Sequence, residues 1–161
     1  MTEVAFVNAS PLILLAITGR IELLRSVAGR VVVPSVVEVE ALARASDQRT
    51  VRVLRSTAWI ERAASISVPA EIEAWDLGAG EAAVLSLTAR TPGSIAVVDD
   101  LAARHCGKSM GLQVIGTLGV VVRAKRAGVI TLARPVMADL RASGLYIVDE
   151  LVDRALREVG E

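Results

Sequence analysis

Four short runs rich in β-branched and aliphatic residues, VAFV (4–7), RVVV (30–33), SIAVV (94–98) and LQVIG (112–116), are each followed by a segment with helical spacing of apolar residues. That alternation is the strongest constraint on the chain. Strands separated by helices return in the same direction, so the pattern specifies an α/β fold with an open, mostly parallel sheet covered on both faces. Such a sheet gathers the C-terminal ends of its strands at one edge, where open α/β folds bind ligands.

The segments between the runs predict the helices. Val4–Val7 reads as a strand, and Ser10-Pro11 starts a helix because proline suits a first helical turn. Arg20–Ala28 (RIELLRSVA) carries Ile21, Leu24 and Val27 on one face and predicts a helix closed by Gly29. After the valine run, Pro34 opens a helix containing Glu40. Asp47–Thr57 predicts a solvated helix with Arg49, Arg52 and Arg55 on one face. Trp59–Pro69 reads as short irregular or extended pieces. Leu77–Arg90 reads as a Gly-x-Gly turn and a helix, DLAARHCGKSMG and TLGVVVRAKRAG as two more, and two helices flank LYIV in the tail.

At 161 residues the chain is long enough to bury a core without disulfides, and a single domain over 1–161 is expected. The sole cysteine, Cys106, excludes an internal disulfide and suits a reducing compartment, so a cytoplasmic location is expected. No segment reaches the roughly 18 apolar residues of a membrane span. Lys+Arg and Asp+Glu both total 18, so any site for a polyanion must be a local patch. Only four residues are aromatic, Phe6, Trp59, Trp75 and Tyr146, which leaves few rings for stacking bases.

The polar residues at strand ends carry the chemistry. Asn8 follows the first strand and Asp99-Asp100 the third, so the parallel sheet should bring them together. Glu81 in the first turn of its helix and Glu40 in its own can face the same edge. Such a set suits a hard cation, since Mg²⁺ takes one or two carboxylates plus waters and a substrate phosphate. Each residue also has a local explanation: Asn8 as a turn or N-cap residue, Asp99 or Asp100 as an N-cap, Glu81 as a response to the helix dipole, Glu40 as a solvated acid. His105 and Cys106 are adjacent on a helix and point apart, so they form no ligand pair. LGAGEAA lacks the Gly-Lys-Ser/Thr of a P-loop.

The stretches VNASPLILLAITGRIELLRSVAGRVVVPSVVEVEAL, LGAGEAAVLSL, VVDDLAAR and GLQVIGTLGVVVRAKRAGVI together resemble the PIN-domain superfamily. Within it they look like the short bacterial and archaeal proteins that open with Asp or Asn before xSPLI and carry a late GTLG. The resemblance implies a three-layer α/β/α domain and Mg²⁺- or Mn²⁺-dependent endoribonuclease activity. It also implies a toxin role in a toxin-antitoxin pair, with RNA, a small cognate antitoxin and a second copy of the chain as partners. Carried over by position, the acidic set falls on Asn8, Glu40, Glu81 and Asp99 or Asp100, with Asp99 and Glu81 as principal ligands. Ser10 matches the small hydroxyl residue after the first position, and Arg104, Lys108 and Arg123 are candidate phosphate contacts. Asn8 replaces an acid with an amide. A weakened domain that binds RNA or protein is the alternative.

Overall fold

A computed structural model describes residues 2–64 and 66–161. Its sheet has five strands, all parallel: β1 (Thr2–Val7), β2 (Ala28–Pro34), β3 (Ile60–Ala63), β4 (Ile95–Val97) and β5 (Gln113–Ile115), in the order β3-β2-β1-β4-β5. Helices flank it in a three-layer α/β/α arrangement. They are α1 (Ala9–Ile17), α2 (Ser35–Arg44), α3 (Gln48–Ser56), α4 (Ala70–Glu73), α5 (Ala79–Arg90), α6 (Leu101–Ser109), α7 (Thr117–Arg126), α8 (Arg134–Ala142) and α9 (Asp149–Glu158).

The central strands are apolar on both faces because helices cover both. Ala5, Val7, Ala96 and Val97 are fully enclosed, and α1 contributes Leu12 to Ala16 to the same core. Pro11 lies in the first turn of α1, where a missing N–H costs no hydrogen bond. Asp47 caps α3 by accepting from Thr50 N at 2.7 Å, and Arg49, Arg52 and Arg55 are exposed as expected of a solvated face.

One expectation is corrected. Arg20–Ala28 does not form an α-helix closed by Gly29. Ile21–Ser26 is a 3₁₀ turn, and Gly29 lies inside β2. The cause is tertiary: Ala28 pairs with Thr2 and Arg30 with Val4, so the ladder to β1 claims the residues that would have completed the helix. Within Trp59–Pro69, Ile60–Ala63 forms the edge strand β3, which pairs Ile60 with Val31 and Ala63 with Pro34; Ser65 lies outside the described residues. The short α4 has no counterpart in the sequence pattern.

The tail is tied down by one carboxylate. Glu161 accepts from Ala133 N at 2.7 Å and Arg134 N at 3.0 Å, two N–H groups at the start of α8, and Lys125 Nζ lies 3.1 Å away. These backbone hydrogen bonds lower the Glu161 pKa to about 2. A carboxyl shifted down contributes stability above its unfolded pKa, and that contribution disappears as pH falls toward the folded value. Glu161→Gln should therefore lower the melting temperature at pH 7 and converge with the parent near pH 2. Thermal melts across that range check it.

Candidate active site

The strand order reverses at β1: the chain runs outward through β2 and β3, then crosses to β4 and β5 on the other side. Loops leaving β1 and β4 therefore diverge and open a crevice at the C-terminal edge. Val7 stands opposite Val97, and Val97 opposite Ile115. One step further, Asn8 N donates to Val97 O at 3.0 Å and Val98 N to Ile115 O at 2.9 Å. Asn8, Asp99 and Thr117 thus leave adjacent strands side by side.

Asn8 occupies the backbone position of an N-cap, but its side chain makes no capping bond to α1. It is only 2% exposed, and its Nδ2 donates to Glu81 Oε1 at 2.9 Å. The amide oxygen Oδ1 is buried without a hydrogen-bond partner among the described residues. An orphaned buried acceptor is costly, of the order of 1–3 kcal/mol. The turn-residue explanation therefore fails for this side chain. Gly80, in the first turn of α5, lets it sit there: a Cβ at Gly80 would lie 2.8 Å from Asn8 Oδ1 and 2.7 Å from Glu40 Oε2. Glu40 and Asn8 thus face the same bare Cα, although Glu40 also pairs with Arg44 at 3.2 Å.

The two aspartates have separate jobs. Asp100 is exposed and caps α6, accepting from Ala103 N at 2.8 Å. Asp99 is half-buried and reaches the start of α7, where Oδ1 accepts from Thr117 N at 2.6 Å and Oδ2 from Thr117 Oγ1 at 2.7 Å. Burial pushes the Asp99 carboxyl above its ordinary pKa, opposed by the Thr117 bonds and by the Arg104 charge.

Asn8, Ser10, Glu81, Asp99, Asp100 and Arg104 line one cavity of about 870 Å³, and Arg123 joins them from α7. Arg104 and Arg123 make no salt bridge among the described residues, and Arg104 Nε is buried without a partner. Glu40 stands behind the cavity at Gly80. Lys108, exposed in the last turn of α6, does not line it. His105 is exposed while Cys106 is buried, with its thiol pKa raised by desolvation, so the pair points apart as expected. Thr117, Gly80 and Arg154 of α9 are residues that sequence reasoning missed. GTLG and GAGE contain two of them but do not say what their neighbours are.

Among the described residues no three carboxylate, His or Cys side chains converge closely enough to hold a metal ion by themselves. The residues that line the cavity bring a mixed set of donors, the carboxylates of Glu81 and Asp99 and the amide of Asn8, whose oxygen is packed against Gly80. All are oxygen donors, which fits a hard divalent cation that keeps part of its water shell.

Fold and site together define a parallel α/β/α domain with acids lining a crevice at its strand-order reversal. The chain belongs to the PIN-domain family, whose family model matches residues 4–161. Comparisons with curated proteins and with solved structures return no match. No helix among the described residues is long and apolar enough to cross a membrane.

The raised Asp99 pKa has a definite sign. As pH rises the unfolded chain loses this proton first, so stability falls from the ordinary aspartate value, about 3.9, up to the folded value and then levels off. Asp99→Asn removes that loss. Without metal, the variant should gain stability relative to the parent between pH 3 and pH 7, measured by urea unfolding at each pH.

Proposed function

We propose that this protein is a divalent-metal-dependent endoribonuclease that hydrolyses RNA phosphodiester bonds, and that it serves as the toxin of a toxin-antitoxin pair. The observation that carries the catalytic reading is the buried Oδ1 of Asn8, unpartnered among the described residues and set beside Gly80 and Glu40, on a residue that lines the cavity with Glu81 and Asp99. Membership of the PIN-domain family supports nuclease chemistry, and the resemblance to short prokaryotic toxins supports the biological role.

In this reading Asn8 Oδ1, Glu81 and Asp99 hold Mg²⁺ or Mn²⁺, with Asp100 and Glu40 as further acids of the site. When bound, the ion supplies a Lewis acid that activates water and offsets charge developing on the phosphate. The chain's residues do the rest. Thr117 fixes both oxygens of Asp99, and the Asn8 amide fixes one oxygen of Glu81. Arg104 and Arg123, which make no salt bridge among the described residues, attract and orient the phosphodiester. Ser10 offers a hydroxyl at the same cavity. A cytoplasmic location, a small cognate antitoxin and a homodimer complete the proposal. Exposed Val129 and Leu132, just after α7, support self-association.

Asn8 favours weakened activity as the second reading, because an amide ligates without adding charge. Cleavage of a labelled RNA in Mn²⁺ tests the first: Asp99→Asn should abolish it, and cleavage at the parental rate removes Asp99 from the site. Asn8→Asp tests the second. A carboxylate there should tighten Mn²⁺ binding by about 10- to 100-fold, the range typical of changes around a metal. Without metal the same change should lower stability, since the Asn8–Glu81 hydrogen bond becomes a contact of two carboxylates and one pKa must rise. Calorimetric titration and metal-free melts decide it; equal affinities would place Asn8 outside the metal site.

A further inference from the structure

We propose that Tyr146 forms a base-stacking subsite for single-stranded RNA beside the acidic crevice, a reading that rests on the ribonuclease proposal and extends it to substrate recognition. Tyr146 lies in the link between α8 and α9 and is 91% exposed, yet it lines the same cavity as Asn8, Glu81 and Asp99. The other aromatic rings are differently placed. Phe6 is in the core, Trp59 donates to Glu22 and stacks under the Arg25 guanidinium at 5.6 Å, and Trp75 does not line the cavity.

The link holds the ring outward. Leu145 is buried and Ile147 half-buried on either side, so alternate side chains anchor the backbone while Tyr146 between them faces out. Leu145 N donates to Leu140 O at 3.0 Å and Gly144 N to Arg141 O at 3.1 Å, which ties the link to the end of α8. A ring with two rotatable angles on an anchored backbone loses little freedom on binding.

Charge selects the occupant. Arg104, Arg123 and Arg154 line the cavity without salt-bridge partners among the described residues, whereas Arg44 and Arg126 are paired with Glu40 and Glu158. Guanidinium groups without salt bridges, an exposed ring and apolar side chains that include Val148 and Leu151 line one cavity and match a ligand with phosphates and flat apolar faces. An unpaired nucleotide has both, while a base inside a duplex has its faces covered by its neighbours. One ring accommodates one base, so the subsite holds a single nucleotide of a strand that occupies the cavity.

The test measures binding of a fluorescently labelled single-stranded RNA by anisotropy in EDTA, where cleavage does not interfere. Tyr146→Ala should weaken binding about 10-fold, the order that stacking of one base on an aromatic ring supplies. Tyr146→Phe should bind within about twofold of the parent. An oligonucleotide of the same length built of abasic residues should bind the parent and Tyr146→Ala alike. Equal RNA affinity of parent and Tyr146→Ala overturns the proposal, as does an equal loss on the abasic strand or a parent that binds no RNA. Conversion of a dimeric parent to a monomer by Tyr146→Ala, seen by sedimentation, also overturns it and assigns the ring to an interface between copies. Tyr146-dependent binding by a parent that fails to cleave in Mn²⁺ refutes the nuclease proposal alone and upholds the subsite.

Discussion

The parallel pairing of β1 with β4 sets the geometry on which everything at the crevice depends. With Val7 opposite Val97, the first residues past each strand emerge at the same height, and the reversal of strand order sends their chains apart. Polar groups at that edge escape the apolar layers on either side without having to cross them. A one-residue slip would turn every side chain of β1 to the other face and bring its ends out of step with β4. Close packing on both faces makes such a slip costly, since Ala5, Val7, Ala96 and Val97 are all fully enclosed.

Periodicity was enough to reveal the sheet, because runs such as VVV and IAVV have few other places to go in a chain of this length. The same reasoning placed Asn8 and Asp99 at a common edge, since strand direction alone determines where their ends lie. What periodicity could not reveal was competition between elements. Ile21, Leu24 and Val27 fit a helix well, but pairing of Ala28 with Thr2 outweighed continuation of the turn. The edge strand β3 was ambiguous because Ile60–Ala63 carries Glu61 and Arg62 in its middle, as an edge with a solvated face allows. The division of labour between Asp99 and Asp100 was equally hidden. Either suits an N-cap, and only the position of Thr117, eighteen residues on, draws Asp99 away from α6 and leaves the cap to Asp100.

Local sequence also could not decide what Asn8 does, since its backbone is that of an ordinary N-cap. The explanation lies across the fold in Glu81. An aspartate at this position would set two carboxylates face to face in a partly buried crevice, where their repulsion is poorly screened. The amide replaces that repulsion with a hydrogen bond and leaves its oxygen free on the other side. An amide therefore lets the crevice hold its shape, at the expense of one charge toward a cation.

Gly80 gives an independent indication that this region is shaped by close approach rather than by helix stability. Glycine inside a helix is less stable than alanine by roughly 0.5–1 kcal/mol, and Gly80 has no positive φ that would require it. The space answers instead, because a Cβ would fall within 3 Å of both Glu40 and Asn8. Glu40 ends a flexible side chain and can swing toward solvent with Arg44, but Asn8 is enclosed and tied to Glu81. A methyl group at residue 80 would therefore spare the core and displace the amide, moving a buried side-chain acceptor that has no partner among the described residues. The bare Cα of α5 and the uncapping side chain at the end of β1 are two halves of one arrangement, in which local helix stability is given up to leave room for an amide oxygen at the edge of the crevice.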